Sequence, residues 1–92
     1  VEVNHEGRVV KLTLRENNLN GRIPEALGTL TELTRLSLRG NHLTGPIPEA
    51  LGALSELKTL SMKDNKLTGS IPGMLGGLGK LEKLSLHGNQ LS

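Results

Sequence analysis

Asparagine recurs at positions 17, 41, 65 and 89, a spacing of 24 residues. Gly21, Gly45 and Gly69 keep the same interval, as do the dipeptides Ile23-Pro24, Ile47-Pro48 and Ile71-Pro72. Leucine columns run alongside them: Val9, Leu33, Leu57 and Leu81; Leu12, Leu36, Leu60 and Leu84; Leu19, Leu43, Leu67 and Leu91. Residues 28–51 and 52–75 are identical at 13 of 24 positions, well beyond chance. A period of this length constrains the fold more than any single residue. Each unit is one supersecondary element too small to bury its apolar side chains alone, so the units must stack and share a continuous core.

The interior of a unit is readable. Leu36-Ser37-Leu38 alternates apolar and polar side chains, the pattern of a half-buried strand. Asn41 falls where that strand must turn, and its amide both donates and accepts. At 24-residue intervals such amides are expected to satisfy the loop backbone of the next coil. Gly45 frees φ, and Pro48 fixes it near −65°. Pro48-Glu49-Ala50-Leu51 reads as one short helical turn, with Pro48 early and Gly52 as its stop. Strands from successive coils then lie in parallel about 4.8 Å apart, and the wider helical segments splay so that the strand side becomes concave. The expected class is an α/β solenoid, with short parallel strands on the concave face and short helical or 3-10 segments on the convex face. Residues 1–8 form an N-terminal flank, and 9–92 hold about three and a half 24-residue units.

Composition matters because this stack must hold without large rings. The 92 residues include 20 Leu, all expected in the core, and no Phe, Tyr, Trp or Cys. The missing cysteines exclude a disulfide scaffold, a thiolate zinc site and an iron–sulfur cluster. The missing aromatics exclude base stacking on single-stranded nucleic acid, and a net charge of +2 gives no separate reason to expect nucleic acid. No 18-residue apolar run is present, so this segment is not expected to insert into a membrane.

These residues resemble the leucine-rich repeat, in its plant-type 24-residue subclass. The pattern stands here as Leu30-Thr-Glu-Leu33-Thr-Arg-Leu36-Ser-Leu38-Arg-Gly-Asn41-His-Leu43-Thr-Gly45-Pro-Ile47-Pro48-Glu-Ala-Leu51-Gly52, and it covers about residues 8–92. The motif is highly specific for fold and weakly specific for function. The resemblance implies a second sheet contributed by the Gly-x-Ile-Pro segment, and a strand face that binds peptides, proteins or glycans. It points to arrays of receptor-like kinases and polygalacturonase-inhibitor-like proteins. In such receptors a Trp- and Cys-bearing cap precedes the first repeat. Residues 1–6 read as a remnant of that cap without either residue, and Leu91-Ser92 stop in mid-unit, so the sequence reads as a segment of a longer array.

The outward positions of the strand face form four columns. The first is Lys11, Arg35, Thr59 and Lys83; the second Thr13, Ser37, Ser61 and Ser85; the third Arg15, Arg39, Lys63 and His87; the fourth Glu16, Gly40, Asp64 and Gly88. Six Lys/Arg against two acids give this face +4, while the remaining five Lys/Arg and seven acids give −2. The first three columns are the candidate ligand-binding residues: a hydroxyl row between two basic rails, suited to an acidic protein, peptide or glycan. Salt-sensitive binding lost on charge reversal at Arg15 and Arg39 is the corresponding expectation. Asn17, Asn41, Asn65 and Asn89 are assigned a structural ladder.

Nothing else in the chain forms a catalytic or metal constellation. His5, His42 and His87 fall in different columns with no carboxylate completing a set. Gly76-Gly77-Leu78-Gly79-Lys80 fails the phosphate-loop pattern at Met74 and Leu81. Ser55-Glu-Leu-Lys58 is drift from Thr31-Glu-Leu-Thr34 in the preceding unit. No nucleophile–base–orienter set occurs, so a non-catalytic module without cofactor is expected, although a kinase or GTPase domain elsewhere in a parent chain is compatible with it. Two contexts stay open: a receptor-like ectodomain, or an intracellular scaffold array attached to a GTPase or nucleotide-binding domain. Resemblance favours the extracellular face of a receptor. The absence of Cys and of any Asn-x-Ser/Thr sequon leaves the cytoplasm open.

Overall fold

Nine short strands and three 3-10 turns alternate along the chain in a computed structural model that describes residues 1–14 and 18–91. The strands are β1 (Glu2–Val3), β2 (Val9–Thr13), β3 (Asn20–Arg22), β4 (Arg35–Ser37), β5 (His42–Gly45), β6 (Thr59–Ser61), β7 (Lys66–Gly69), β8 (Lys83–Ser85) and β9 (Gln90–Leu91). The 3-10 turns are Glu25–Thr29, Glu49–Ala53 and Gly73–Gly77. Each coil thus contributes one strand to a main sheet, one to a second sheet, and one tight turn to the opposite side.

The main sheet has the order β1-β2-β4-β6-β8 and the second β3-β5-β7-β9. In the main sheet Leu12, Leu36, Leu60 and Leu84 lie opposite one another, so the register equals the 24-residue repeat. In the second sheet the partners are Asn20 with His42, Thr44 with Lys66, and Thr68 with Gln90, a register of 22. The two-residue slip per coil is even, so every side chain keeps its face while the second sheet shears relative to the first. β1 is an addition that the period did not reveal. It runs antiparallel to β2 along the outer edge of the main sheet.

Between the sheets and the turns lies a single stack of leucines. Leu33, Leu36, Leu51, Leu54, Leu57, Leu60, Met62 and Leu67 are fully buried, with Ile23, Ile47, Leu75 and Leu78 closing the core around them. The expectation that all 20 Leu are buried needs correcting at Leu14, Leu19, Leu27, Leu30, Leu81, Leu86 and Leu91, which are half-buried against the core, and at Leu84, which is 44% exposed. β8 has a main-sheet neighbour on one side only, so the Leu84 side chain meets one layer of leucines rather than two.

The turn chemistry also differs from its sequence reading. Pro24, Pro48 and Pro72 do not stand inside their turns. They are N-caps in extended backbone, with φ of −68°, −68° and −63°. Gly52 lies within the turn rather than stopping it, and the ends fall at Leu30, Leu54 and Leu78, whose N–H groups donate to Leu27, Leu51 and Leu75. The glycine has a packing reason instead. A Cβ on Gly28 would run into the carbonyl oxygen of Ala50, and one on Gly52 would press on Met74 at 3.1 Å. Glycine at this position lets successive turns stack closely.

The asparagine ladder forms, but it points backward. Asn41 accepts from the Leu19 N–H at 3.1 Å and donates to the Leu14 carbonyl at 2.8 Å, both in the preceding coil, and to its own Leu38 carbonyl at 2.9 Å. Asn65 repeats this with Leu43, Leu38 and Met62, and Asn89 with Leu67, Met62 and Leu86. The expected bond to the next coil is therefore reversed. The side chain sits beside the strand end of the coil before it, where a carbonyl and an N–H are left over from the turn. Asn17 lies outside the described residues.

Candidate functional site

The main sheet brings the sequence columns together in register. Lys11 pairs with Arg35, Arg35 with Thr59, and Thr59 with Lys83; two residues along, Thr13, Ser37, Ser61 and Ser85 pair in the same way. The third column lies just beyond the strand ends. It is held in line by further ladder bonds, from the Leu38 N–H to Ser61, from Gly40 to Lys63 and from Asp64 to His87. Arg39, Lys63 and His87 therefore extend the same surface, while Arg15 lies outside the described residues.

Exposure grades the members. Arg35, Lys83, Thr13 and His87 are exposed, and Lys11, Thr59, Ser61, Arg39, Lys63 and Ser85 are half-buried. Ser37 is a correction: only 9% of it is accessible, so it forms floor rather than contact surface. It is a short side chain at the middle of the sheet, with Arg35 and Arg39 two positions away on either side. A depression of about 200 Å³ opens over it, lined by Thr13, Arg35, Ser37, Arg39, Thr59 and Ser61. A second depression, of about 350 Å³, lies along the strand-start edge among Lys11, Arg35, Lys58 and Lys83, with Thr34, Thr59 and Glu82. Arg35 and Thr59 border both.

The second depression includes residues that the column reading passed over. Thr34, Lys58 and Glu82 form their own 24-residue column one position ahead of the first basic column, so the signal was present in the period. A local irregularity turns them toward this edge: the Thr34 carbonyl accepts from both Lys58 and Thr59, and the Lys58 carbonyl from both Glu82 and Lys83. Glu2 was also missed. β1 brings its carboxylate within 3.7 Å of the Lys11 ammonium, so the basic rail is partly offset at its first member.

Other charges lie away from this face. A column of Arg8, Glu32, Glu56 and Lys80 resolves into two ion pairs, Arg8–Glu32 at 3.1 Å and Lys80–Glu56 at 2.8 Å. Arg22, His42 and Lys66 lie on the second sheet, whereas His87 lies just beyond the end of β8 in the main sheet. Among the described residues no group of His, Cys, Asp or Glu could hold a metal ion, and no helix is long and apolar enough to cross a membrane. The main-sheet face can offer cationic and hydroxyl hydrogen-bond donors in a repeating array.

A Leucine rich repeat family pattern matches residues 31–91, and a second Leucine Rich Repeat pattern matches residues 8–30. No curated protein matches the chain. Among solved structures it is similar to the plant peptide hormone receptor RGFR1 in complex with RGF2, at 44% identity and a TM-score of 0.89 over 90% of this chain. It is similar at 43% identity and a TM-score of 0.88 to the BIR3–SERK2 complex from Arabidopsis thaliana, again over 90% of this chain. It is also similar to a plant ice-binding protein, at 40% identity and a TM-score of 0.77 over 80% of the chain. The chain spans 13%, 45% and 24% of those three chains, respectively. With two coiled sheets, backward-pointing asparagines and 3-10 turns repeating every 24 residues, the chain belongs to the leucine-rich repeat family, in its plant-type subclass.

Proposed function

We propose that this chain is a non-catalytic recognition module that binds an acidic peptide or protein segment across the main-sheet face, as part of a receptor-like protein. The observation that carries this reading is the alignment of Arg35, Arg39, Lys63 and Lys83 around the hydroxyl row of Ser61 and Ser85, over a depression of about 200 Å³ that Arg35 and Arg39 line. A repeating array of cations and hydroxyl donors on rigid strands is suited to holding a partner rather than transforming it. Two similar structures, a plant peptide hormone receptor in complex with RGF2 and the BIR3–SERK2 complex, support a peptide or protein as the partner class.

The ice-binding relative offers a different reading, and the face argues against it here. Arg35, Arg39, Lys63 and Lys83 carry side chains longer than those of the Ser/Thr row beside them, and the lysine ammonium groups hold water strongly, which keeps an extended solid surface away from those hydroxyls. The test is titration of a fluorescent Asp/Glu-rich peptide into the 92-residue chain and into the Arg35→Glu, Arg39→Glu double variant. Binding lost on reversal supports the proposal. Equal binding by both proteins sinks it.

A further inference from the structure

The first column of the main sheet carries a long cation at Lys11, Arg35 and Lys83 and a short hydroxyl at Thr59. That exception shapes the surface. Thr59 is half-buried and borders both depressions, with Arg35 on the strand to one side and Lys83 on the strand to the other. At a strand spacing of about 4.8 Å the two cations flank Thr59 across roughly 10 Å. Lys58 closes the outer rim and Glu82 is its one acid. Lys11 is engaged by Glu2, whereas Arg35, Lys58 and Lys83 make no ion pair among the described residues. The Thr34 hydroxyl is also committed, donating to the Val10 carbonyl at 3.1 Å. Among the described residues no such bond engages the Thr59 hydroxyl.

We propose that the depression over Thr59 is a binding site for a tetrahedral oxyanion, of the phosphate or sulfate class, carried by the partner. Such a group has acceptor oxygens directed to several sides at once, and here donors converge from three: Arg35, Lys83 and Lys58, above a hydroxyl floor. A planar carboxylate would be satisfied by the Arg35 fork alone and would leave the other donors without a role. The site rests on the main sheet being the binding face, but its test is separate. A lysine at position 59 would add a positive charge while filling the depression with its own stem. Shape and charge therefore make opposite predictions for one substitution.

The experiment follows backbone amide and methyl NMR shifts of the 92-residue chain during titration with inorganic phosphate at constant ionic strength. The expected result is saturable shifts centred on Thr59. Thr59→Lys should weaken phosphate binding by roughly ten-fold despite its added charge, because hydrogen bonds to a charged group are worth about that much or more. The substitution copies the residue already present at Lys11 and Lys83, so the coil can accept it. Lys83→Thr should also weaken binding, and Glu82→Gln should strengthen it. Equal or tighter phosphate binding by Thr59→Lys would show diffuse attraction and overturn the site. A phosphoserine peptide should bind more tightly than its serine counterpart, with shifts at the same residues; equal affinity would overturn the claim that the partner carries the anion. Phosphate saturating at Thr59 while acidic peptides fail to bind would retain the site and sink the wider reading. Peptide binding without phosphate shifts at Thr59 would do the reverse.

Discussion

The amide nitrogen of Asn65 donates to the carbonyl of Leu38 at 2.9 Å, tying one coil to the coil before it. The same side chain accepts from the Leu43 N–H at 3.1 Å and donates within its own coil to Met62 at 3.1 Å and Lys63 at 3.3 Å. One short residue therefore serves four backbone groups, most of them removed from water. This explains why the position tolerates no drift along the chain while the surface columns do.

Asn65→Ala is expected to lower stability by about 2–4 kcal/mol, because a buried N–H and several carbonyls lose their partner. Asn65→Asp should cost more than alanine, since its second oxygen faces three carbonyl oxygens where the amide had donated. Asn89→Ala should cost less, as Asn89 is only half-buried. Urea denaturation with an unchanged m-value checks all three, and an aspartate milder than alanine would contradict the geometry.

The glycines of the 3-10 turns allow a comparison within one column. Gly28→Ala should destabilise by about 1–3 kcal/mol, because the new methyl meets the rigid backbone carbonyl of Ala50 and overpacking of this kind costs about that much. Gly76 has nothing within 4 Å of its Cβ direction, so Gly76→Ala should change stability by no more than about 0.5 kcal/mol. Thermal unfolding of the two variants side by side distinguishes them, and equal losses would show that conformation rather than contact selects glycine here.

Much of the fold was legible because a solenoid repeats its instructions. The strand at Leu36-Ser37, the Asn corner and the leucine core each appeared several times in one sequence, so a single ambiguous residue could not mislead. The errors arose where the outcome depends on a neighbouring coil. The direction of the Asn41 bonds is set by which backbone groups the preceding turn leaves unpaired, and the role of Gly28 by how near Ala50 comes. Neither is local information. The site was legible as columns, because Lys11, Arg35, Thr59 and Lys83 share one position in the period. Its relief was not: that Ser37 is buried, that Thr59 opens a depression, and that Glu2 reaches Lys11 all depend on side-chain length beside each strand and on a two-residue edge strand too short to signal itself.

The flank 1–8 is fastened by Glu32, which takes Arg8 at 3.1 Å and accepts from the Asn4 amide at 3.3 Å. Glu32→Ala should release β1 without disturbing the leucine core. Amide exchange of residues 2–3 and 9–11 should quicken, by about ten-fold if the fastening is worth about 1 kcal/mol or slightly more, while the amides of Leu36 and Leu60 keep their protection. By contrast, Glu56→Ala breaks the exposed pair with Lys80 and should change stability by less than about 1 kcal/mol. Exchange that quickens equally in core and flank would mean that the flank is part of one cooperative unit.

Binding of an acidic peptide should be limited by charge in a particular way. With no aromatic side chain in the chain, the interface lacks the rings that dominate many protein contacts. Attraction then rests on Arg35, Arg39, Lys63 and Lys83. Raising the salt from about 0.1 M to about 1 M shortens the screening length from about 10 Å to about 3 Å, less than one strand spacing. The cations then cease to act together at a distance, and the association rate should fall by about ten-fold or more, whereas the dissociation rate changes less. Lys63→Glu should reproduce part of that loss at low salt. Lys66→Glu makes the same charge change on the second sheet and should leave the rate within about two-fold, since that side chain belongs to the other sheet and adds only a screened, distant charge. Stopped-flow measurements at two salt concentrations read both rates, and a Lys66 reversal as damaging as the Lys63 reversal would move the binding surface off the main sheet.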